Sequence, residues 1–142
     1  MESIAKYIDY TLLKATATAA DVERMCKESL EYRFASICIH PVFVKLCARL
    51  LSGSGVGVTT VIGFPFGAVK SEVKAFEAAQ AVADGATEVD MVMNVGLLKS
   101  KRYDEALQDI QAVRGIIGET SLKVIIEAML LSDFLSAQDF IE

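Results

Sequence analysis

Histidine occurs once in this chain of 142 residues, as His40, and cysteine only three times, with no Cys-x-x-Cys pair. That scarcity argues against a zinc site, which draws mainly on those two residue types; no metal is expected. An odd number of thiols in no redox spacing points to reduced cysteines and a cytoplasmic protein. There is no run of basic residues, and the net charge is −5. Neither nucleic acid nor an anionic membrane is an expected partner for such a surface. No uninterrupted apolar stretch approaches the roughly 20 residues of a membrane span. The opening Met1-Glu2-Ser3-Ile4-Ala5-Lys6 lacks the basic start and long apolar run of a signal peptide. Nothing resembling a linker, charge block or low-complexity segment divides the sequence, and its length suits one domain, residues 1–142.

What the chain has in plenty is apolar surface. Hydrophobic residues make up 53% and mean hydropathy is +0.40, on the apolar side for a soluble domain. Something beyond its own core has a use for that surface.

The stretch Thr87-Glu-Val-Asp-Met-Val-Met-Asn94 alternates strictly. Glu88, Asp90, Val92 and Asn94 would face one side of a strand, and Val89, Met91 and Met93 the other, packing on helices. Similar patterns predict strands over residues 34–40, 58–64 and 122–127. The intervening stretches carry helical stripes: Val22, Met25, Cys26 and Leu30; Phe43, Leu46, Cys47 and Leu50; Val73, Phe76, Ala79 and Ala83; Tyr103, Ala106, Leu107, Ile110 and Val113. A short helix is expected over 2–8 and the start of another over 132–142. Thr18-Ala-Ala-Asp21 has the form of a capping box, and Pro41 suits a first helical turn.

Four strand–helix units in succession imply a parallel sheet with crossover helices. Either an open doubly wound sheet or part of a (β/α)₈ barrel fits that order. Three of the four strands carry a face with polar or small groups: Ser36 and Cys38, Glu88 and Asp90, Lys123 and Glu127. A doubly wound sheet buries both faces under helices, whereas a barrel has helices outside only. The reading is therefore α/β, a partial (β/α)₈ TIM barrel of about four parallel βα units. Gly53-x-Gly55-x-Gly57 is not a phosphate cradle. It precedes a strand, whereas a cradle leads from strand into helix so that helix N–H groups meet the anion.

Ordered motifs carry a family resemblance. They are Ile8-Asp-x-Thr-Leu-Leu-Lys14, Phe34-Ala-Ser-Ile-Cys38, Val61-Ile-Gly-Phe-Pro65 with Gly67-Ala68, Ser71-Glu-Val-Lys-Ala-Phe-Glu77, Gly85-Ala-Thr-Glu-Val-Asp-Met91 and Leu122-Lys-Val-Ile-Ile-Glu127. From residue 4 to about 131 the chain resembles the deoxyribose-phosphate aldolases, class I aldolases on a TIM barrel. The resemblance implies cleavage of 2-deoxyribose 5-phosphate to glyceraldehyde 3-phosphate and acetaldehyde through a lysine imine, with no cofactor. It also implies roles: Asp90 as proton relay, Lys123 as a supporting lysine on the next strand, and Asp9, Thr11 and Cys38 lining the pocket of a small phosphorylated sugar or aldehyde. The family's imine-forming lysine lies in a Lys-Thr-Ser-Thr-Gly motif on the sixth strand. That motif does not occur among these 142 residues. Local departures are Tyr10 where the family often has His, His40 where it often has Asn or Tyr, and Ala128 where a Thr is usual.

Bland readings stand beside these. Asp9 could merely cap a turn, Cys38 could be a small core residue, and His40 a loop residue. Acids near Lys123 would hold it as an ammonium, which makes it a poor imine former. Half a barrel would leave two strand edges and one face uncovered. The expectation drawn from this is a homo-oligomer, most simply a dimer closing the barrel. Three functions remain open: an aldolase, an inactive self-associating half-barrel, and a small-carbohydrate binding module.

Overall fold

The computed structural model describes residues 3–131; the helix expected over 132–142 lies outside the described residues. Ser3 caps a short 3-10 turn, Ile4–Tyr7, which feeds strand β1, Asp9–Leu12. Helix α1, Ala19–Tyr32, opens on the predicted capping box: Thr18 Oγ1 accepts from the Asp21 N–H, and Asp21 accepts from the Thr18 N–H. Strand β2, Ser36–Ile39, leads through Pro41 into α2, Val44–Leu50. Gly53 and Gly55, with φ of 72° and 79°, make the turn into β3, Gly57–Ile62, as expected of a helix-to-strand connection. Then come α3 (Ser71–Ala83), β4 (Glu88–Val92), α4 (Val95–Lys99), α5 (Tyr103–Ile116), β5 (Ser121–Ile125) and α6 (Ala128–Leu131).

The five strands form one all-parallel sheet in the order β1-β2-β3-β4-β5. The sequence reading has one strand too few. Asp9-Tyr-Thr-Leu12 is four residues long and half polar, so it carries no hydrophobic run to mark it. Strand order that follows chain order keeps all crossovers moving one way, which puts the helices on one face; a doubly wound sheet reverses direction at its switch point. The core agrees with this. Ile37, Ile39, Val58, Ile62, Val89 and Met91 pack with Val22, Cys26, Val44, Cys47, Ala78 and Val113 from the helices. The opposite face carries Asp9, Cys38, Thr59, Glu88, Asp90 and Lys123.

That face is concave. Four inter-strand gaps of about 4.8 Å would set the edges of a flat sheet about 19 Å apart. Yet Lys123 Nζ on β5 donates to Asp9 Oδ2 on β1 at 2.8 Å. Only a strongly curled sheet brings its two outer strands within reach of one side chain.

Two predicted helix faces are corrected. In α3 the buried residues are Lys74, Ala78 and Ala81, while Val73 and Phe76 lie outward at 51% and 67% exposure. In α5 the predicted Ala106, Ile110 and Val113 do face the core, joined by Asp109, while Tyr103 and Leu107 are exposed. The cause is one buried ion pair, Lys74–Asp109, which fixes both helices with small residues against the sheet. The α1 stripe holds for Val22, Met25 and Cys26, but Leu30 is exposed. In α2 the inward positions are Val44 and Cys47, with Phe43 and Leu46 partly buried and Leu50 exposed.

Candidate active site

Period-two geometry delivers the site residues to the hollow. Along β1, Asp9 and Thr11 face inward, while Tyr10 turns to the helix side and donates to Glu28 Oε2 at 2.6 Å. In β2 and β4 the same alternation turns Ser36, Cys38, Glu88 and Asp90 inward. Register sets Thr11 opposite Cys38, and Asp90 opposite Lys123.

One residue from each strand joins a closed ring. Ser36 Oγ donates to Asp9 Oδ1 at 2.6 Å. The Thr59 hydroxyl lies 3.0 Å from Ser36 Oγ and 3.1 Å from Glu88 Oε1, with a single proton to give. Lys123 Nζ is 2.8 Å from Glu88 Oε1 and 2.8 Å from Asp9 Oδ2, which completes the circuit. Ser121 Oγ adds a bond to Glu88 Oε2. Asp90 sits beside the ring, its Oδ2 3.3 Å from Lys123 Nζ. Its other oxygen, Oδ1, is buried and has no hydrogen-bond partner among the described residues.

Three carboxylates thus share one ammonium. For Lys123 the partial burial lowers the pKa, but hydrogen bonds to Asp9 and Glu88 and the charge of Asp90 outweigh it and raise the value well above the ordinary lysine range. Burial raises the Asp90 carboxyl above its usual range, opposed by Lys123 and aided by Glu88. Asp9 is lowered: its burial acts upward, but the hydrogen bonds from Lys123 and Ser36 prevail. Burial, with the charge of Asp90, pushes the Cys38 thiol up to about 11, so at neutral pH it is no thiolate. Among these acids Lys123 is held as an ammonium, the form that does not attack a carbonyl. Asp90 and Asp9, two acids of one hollow, are thus shifted in opposite directions, Asp90 up and Asp9 down.

The sequence reading brought Asp9, Thr11, Cys38, Asp90 and Lys123 forward, and all five side chains face one hollow. It missed Thr59 and gave Ser36 and Glu88 no role. The polar face of each strand was the available signal, but Thr59-Thr60 leaves open which threonine points inward. Glu127, predicted to share the Lys123 face, lies beyond β5 with φ 52°. This left-handed backbone is uncommon for a non-glycine residue. His40 Nε2 lies 3.1 Å from the Leu13 carbonyl, and its ring meets Phe64 edge-on. Among the described residues no group of three or more His, Cys, Asp or Glu could hold a metal ion, and no helix is long and apolar enough to cross a membrane. A cleft of about 260 Å³ lined by Glu23, Cys26, Lys27, Leu30 and Leu50 lies by α1 and α2, across the sheet from the ring.

Comparisons with known proteins converge on one group. The sequence model for "DeoC/LacD family aldolase" matches residues 3–138. A deoxyribose-phosphate aldolase of Clostridium perfringens is 54% identical over 133 residues, covering 93% of this chain and 59% of that protein. Among solved structures, a putative deoxyribose-phosphate aldolase from Coccidioides immitis superposes with a TM-score of 0.88 at 42% identity, over 97% of this chain and 53% of that one. The deoxyribose phosphate aldolase from Aeropyrum pernix, described as a unique tetrameric structure, gives 0.78 at 35% identity, over 92% and 55%. The chain spans about three-fifths of the curated relative's length. The sheet described above is the TIM-barrel type of these aldolases in part.

Proposed function

This chain belongs to the DeoC/LacD aldolase family, and from that premise we propose that it forms the first five strands of an aldolase that cleaves 2-deoxyribose 5-phosphate through a lysine imine. In this reading Asp90 relays protons to and from the imine. Lys123 holds Asp90, Asp9 and Glu88 in place and tempers their charge, while Asp9, Thr11 and Cys38 line the pocket. The family's imine-forming motif, Lys-Thr-Ser-Thr-Gly, is not among these 142 residues, so the imine lysine of this reading is none of those in the hollow.

The observation that carries the proposal is Asp90 Oδ1, buried and unpartnered at the rim of a hollow with three carboxylates and one lysine. A buried carboxylate oxygen without a donor is costly. A second ammonium or iminium placed there would give it a donor and neutralise the excess negative charge. The hollow is thus complementary to a cationic intermediate.

Borohydride reduction in the presence of acetaldehyde tests the assignment. The chain alone is expected to remain unlabelled at Lys123, because an ammonium held by three acids does not attack a carbonyl. Labelling of Lys123 in the peptide map would overturn the division of roles. Titration with deoxyribose 5-phosphate addresses pocket binding separately, without turnover.

A second reading concerns assembly. β1 and β5 each pair with one neighbour among the described strands, and Ile126, Met129 and Leu130 are exposed beside β5. Self-association that covers these edges, most simply as a dimer, follows from unpaired parallel strands. A monomer by sedimentation at micromolar concentration, together with cooperative melting, would rule it out.

A further inference from the structure

On the helix side of the sheet, α3 sends two side chains, three residues apart, to the ends of two adjacent strands. Lys74 is 0% exposed, and its Nζ donates to the Val92 carbonyl at 2.9 Å and to Asp109 Oδ2 at 2.5 Å. Asp109, 2% exposed on α5, accepts from Ser71 Oγ at 2.8 Å through its other oxygen. Glu77 Oε2 accepts from the Gly63 N–H at 2.8 Å, just past β3. A cation therefore holds the carbonyl that ends β4, and an anion holds the amide that follows β3.

The backbone is shaped around these contacts. A Cβ on Gly63, whose φ is 64°, would lie 2.9 Å from Lys74 Cε, so the glycine leaves room for the lysine stem. A Cβ on Gly67 would lie 2.1 Å from the Met93 carbonyl oxygen, so the β3–α3 loop lies directly against the end of β4. Met93 N–H in turn donates to the Ile125 carbonyl, carrying the arrangement to β5.

Stability alone gives no reason for such a pair. Replacing a buried ion pair with apolar side chains of similar volume is often neutral or stabilising, so its retention calls for a different advantage. What the pair supplies is direction: an ammonium with two fixed acceptors allows the end of β4 one position. Asp90 is two residues before Val92.

We propose that Lys74, oriented by Asp109, is a positioning residue that fixes the carboxyl end of β4 and thereby the aim of Asp90 into the hollow. Lys74 touches nothing in the hollow and acts only through the backbone. This role rests on the aldolase reading, but neither the Asp90 titration nor amide exchange needs turnover, so a failed imine trap leaves both unaffected.

The experiment compares the 142-residue chain with its Lys74→Met/Asp109→Leu double variant, which removes both charges at similar volume. Carbon-detected NMR titration follows the Asp90 carboxyl, and amide hydrogen exchange follows Met93, Leu97 and Leu98. The expected result is a double variant that melts close to the parent. Its Asp90 midpoint lies lower by about half a pH unit or more, as water reaches Oδ1, and its exchange at the three amides is about tenfold faster. A folded double variant with the parent's Asp90 midpoint and exchange rates would overturn the proposal and leave the pair as packing. If the double variant does not fold, Ser71→Ala, which removes only the hydroxyl on Asp109, is read in the same two ways. A smaller shift in the same direction supports the proposal, and an unchanged Asp90 overturns it.

Discussion

Two lysines define two regions of this molecule, and they solve opposite problems. Lys74 is sealed between α3, α5 and the sheet with one carboxylate and one carbonyl. Lys123 stands in the hollow, 43% exposed, among three carboxylates. Without Asp109 the sealed ammonium would be an uncompensated buried charge, so the two must be kept or lost together. The open ammonium is partly solvated and screened, and each of its pairs contributes little to stability. Its effect falls on the protonation of its neighbours. The sealed charge ties two helices to the end of β4, while the open one acts on the protonation of the acids around it.

The comparison breaks most visibly at Lys74. Lys74→Met alone leaves Asp109 buried and unpaired, and is expected to cost about 3–5 kcal/mol in urea or thermal unfolding. A loss below about 1 kcal/mol would place Asp109 in contact with water. Next in size is Gly67→Ala. The new Cβ meets the Met93 carbonyl at a φ of 64°, an overlap with backbone that no side-chain rotation relieves. A loss of about 2–3 kcal/mol is expected from the same unfolding curves.

On the open side, Lys123→Met is expected to lower stability at neutral pH by less than about 1 kcal/mol. Its larger signature is in titration: the Asp90 midpoint rises further, and the Asp9 midpoint rises from its lowered position. A Lys123→Met chain whose two carboxyls titrate as in the parent would undo the assignment of Lys123 as their charge partner.

The smallest effect lies outside both regions. The Thr18 hydroxyl and Arg24 draw the Asp21 carboxyl down from 3.8 to about 2. A depressed acid stabilises the fold above its unfolded value and loses that contribution as pH falls through the folded one. Asp21→Asn should therefore differ from the parent above about pH 4 and converge with it as pH drops through about 2, read by acid unfolding monitored with circular dichroism.

Some of this was legible from residue order, and the limits have physical causes. The alternation of 87–94 disclosed the inward row of β4, and the family resemblance set Lys123 beside Asp90 on the next strand, where the register places it. β1 escaped because four half-polar residues carry too little hydrophobic signal. Hydrophobicity places Val73, Phe76, Tyr103 and Leu107 inside, but all four are exposed; Lys74 takes the interior of α3, and Asp109 joins the correctly placed Ala106, Ile110 and Val113 of α5. A buried ion pair inverts a helical stripe, and only the partner on another element reveals it. The ring through Ser36, Thr59 and Glu88 escaped for a related reason, since its members are joined across strands and nothing in their local order links them.

The contact between Asp9 and Lys123 has one more consequence. Flat rows of unpaired backbone are templates for fibrils, in which identical strands stack without end. Here the bond from Lys123 to Asp9 joins first strand to fifth, so the five strands follow an arc and present no flat row. The same ion pair that crowds the acids thus marks a sheet whose outer strands turn toward each other, the opposite of the fibril's flat stack.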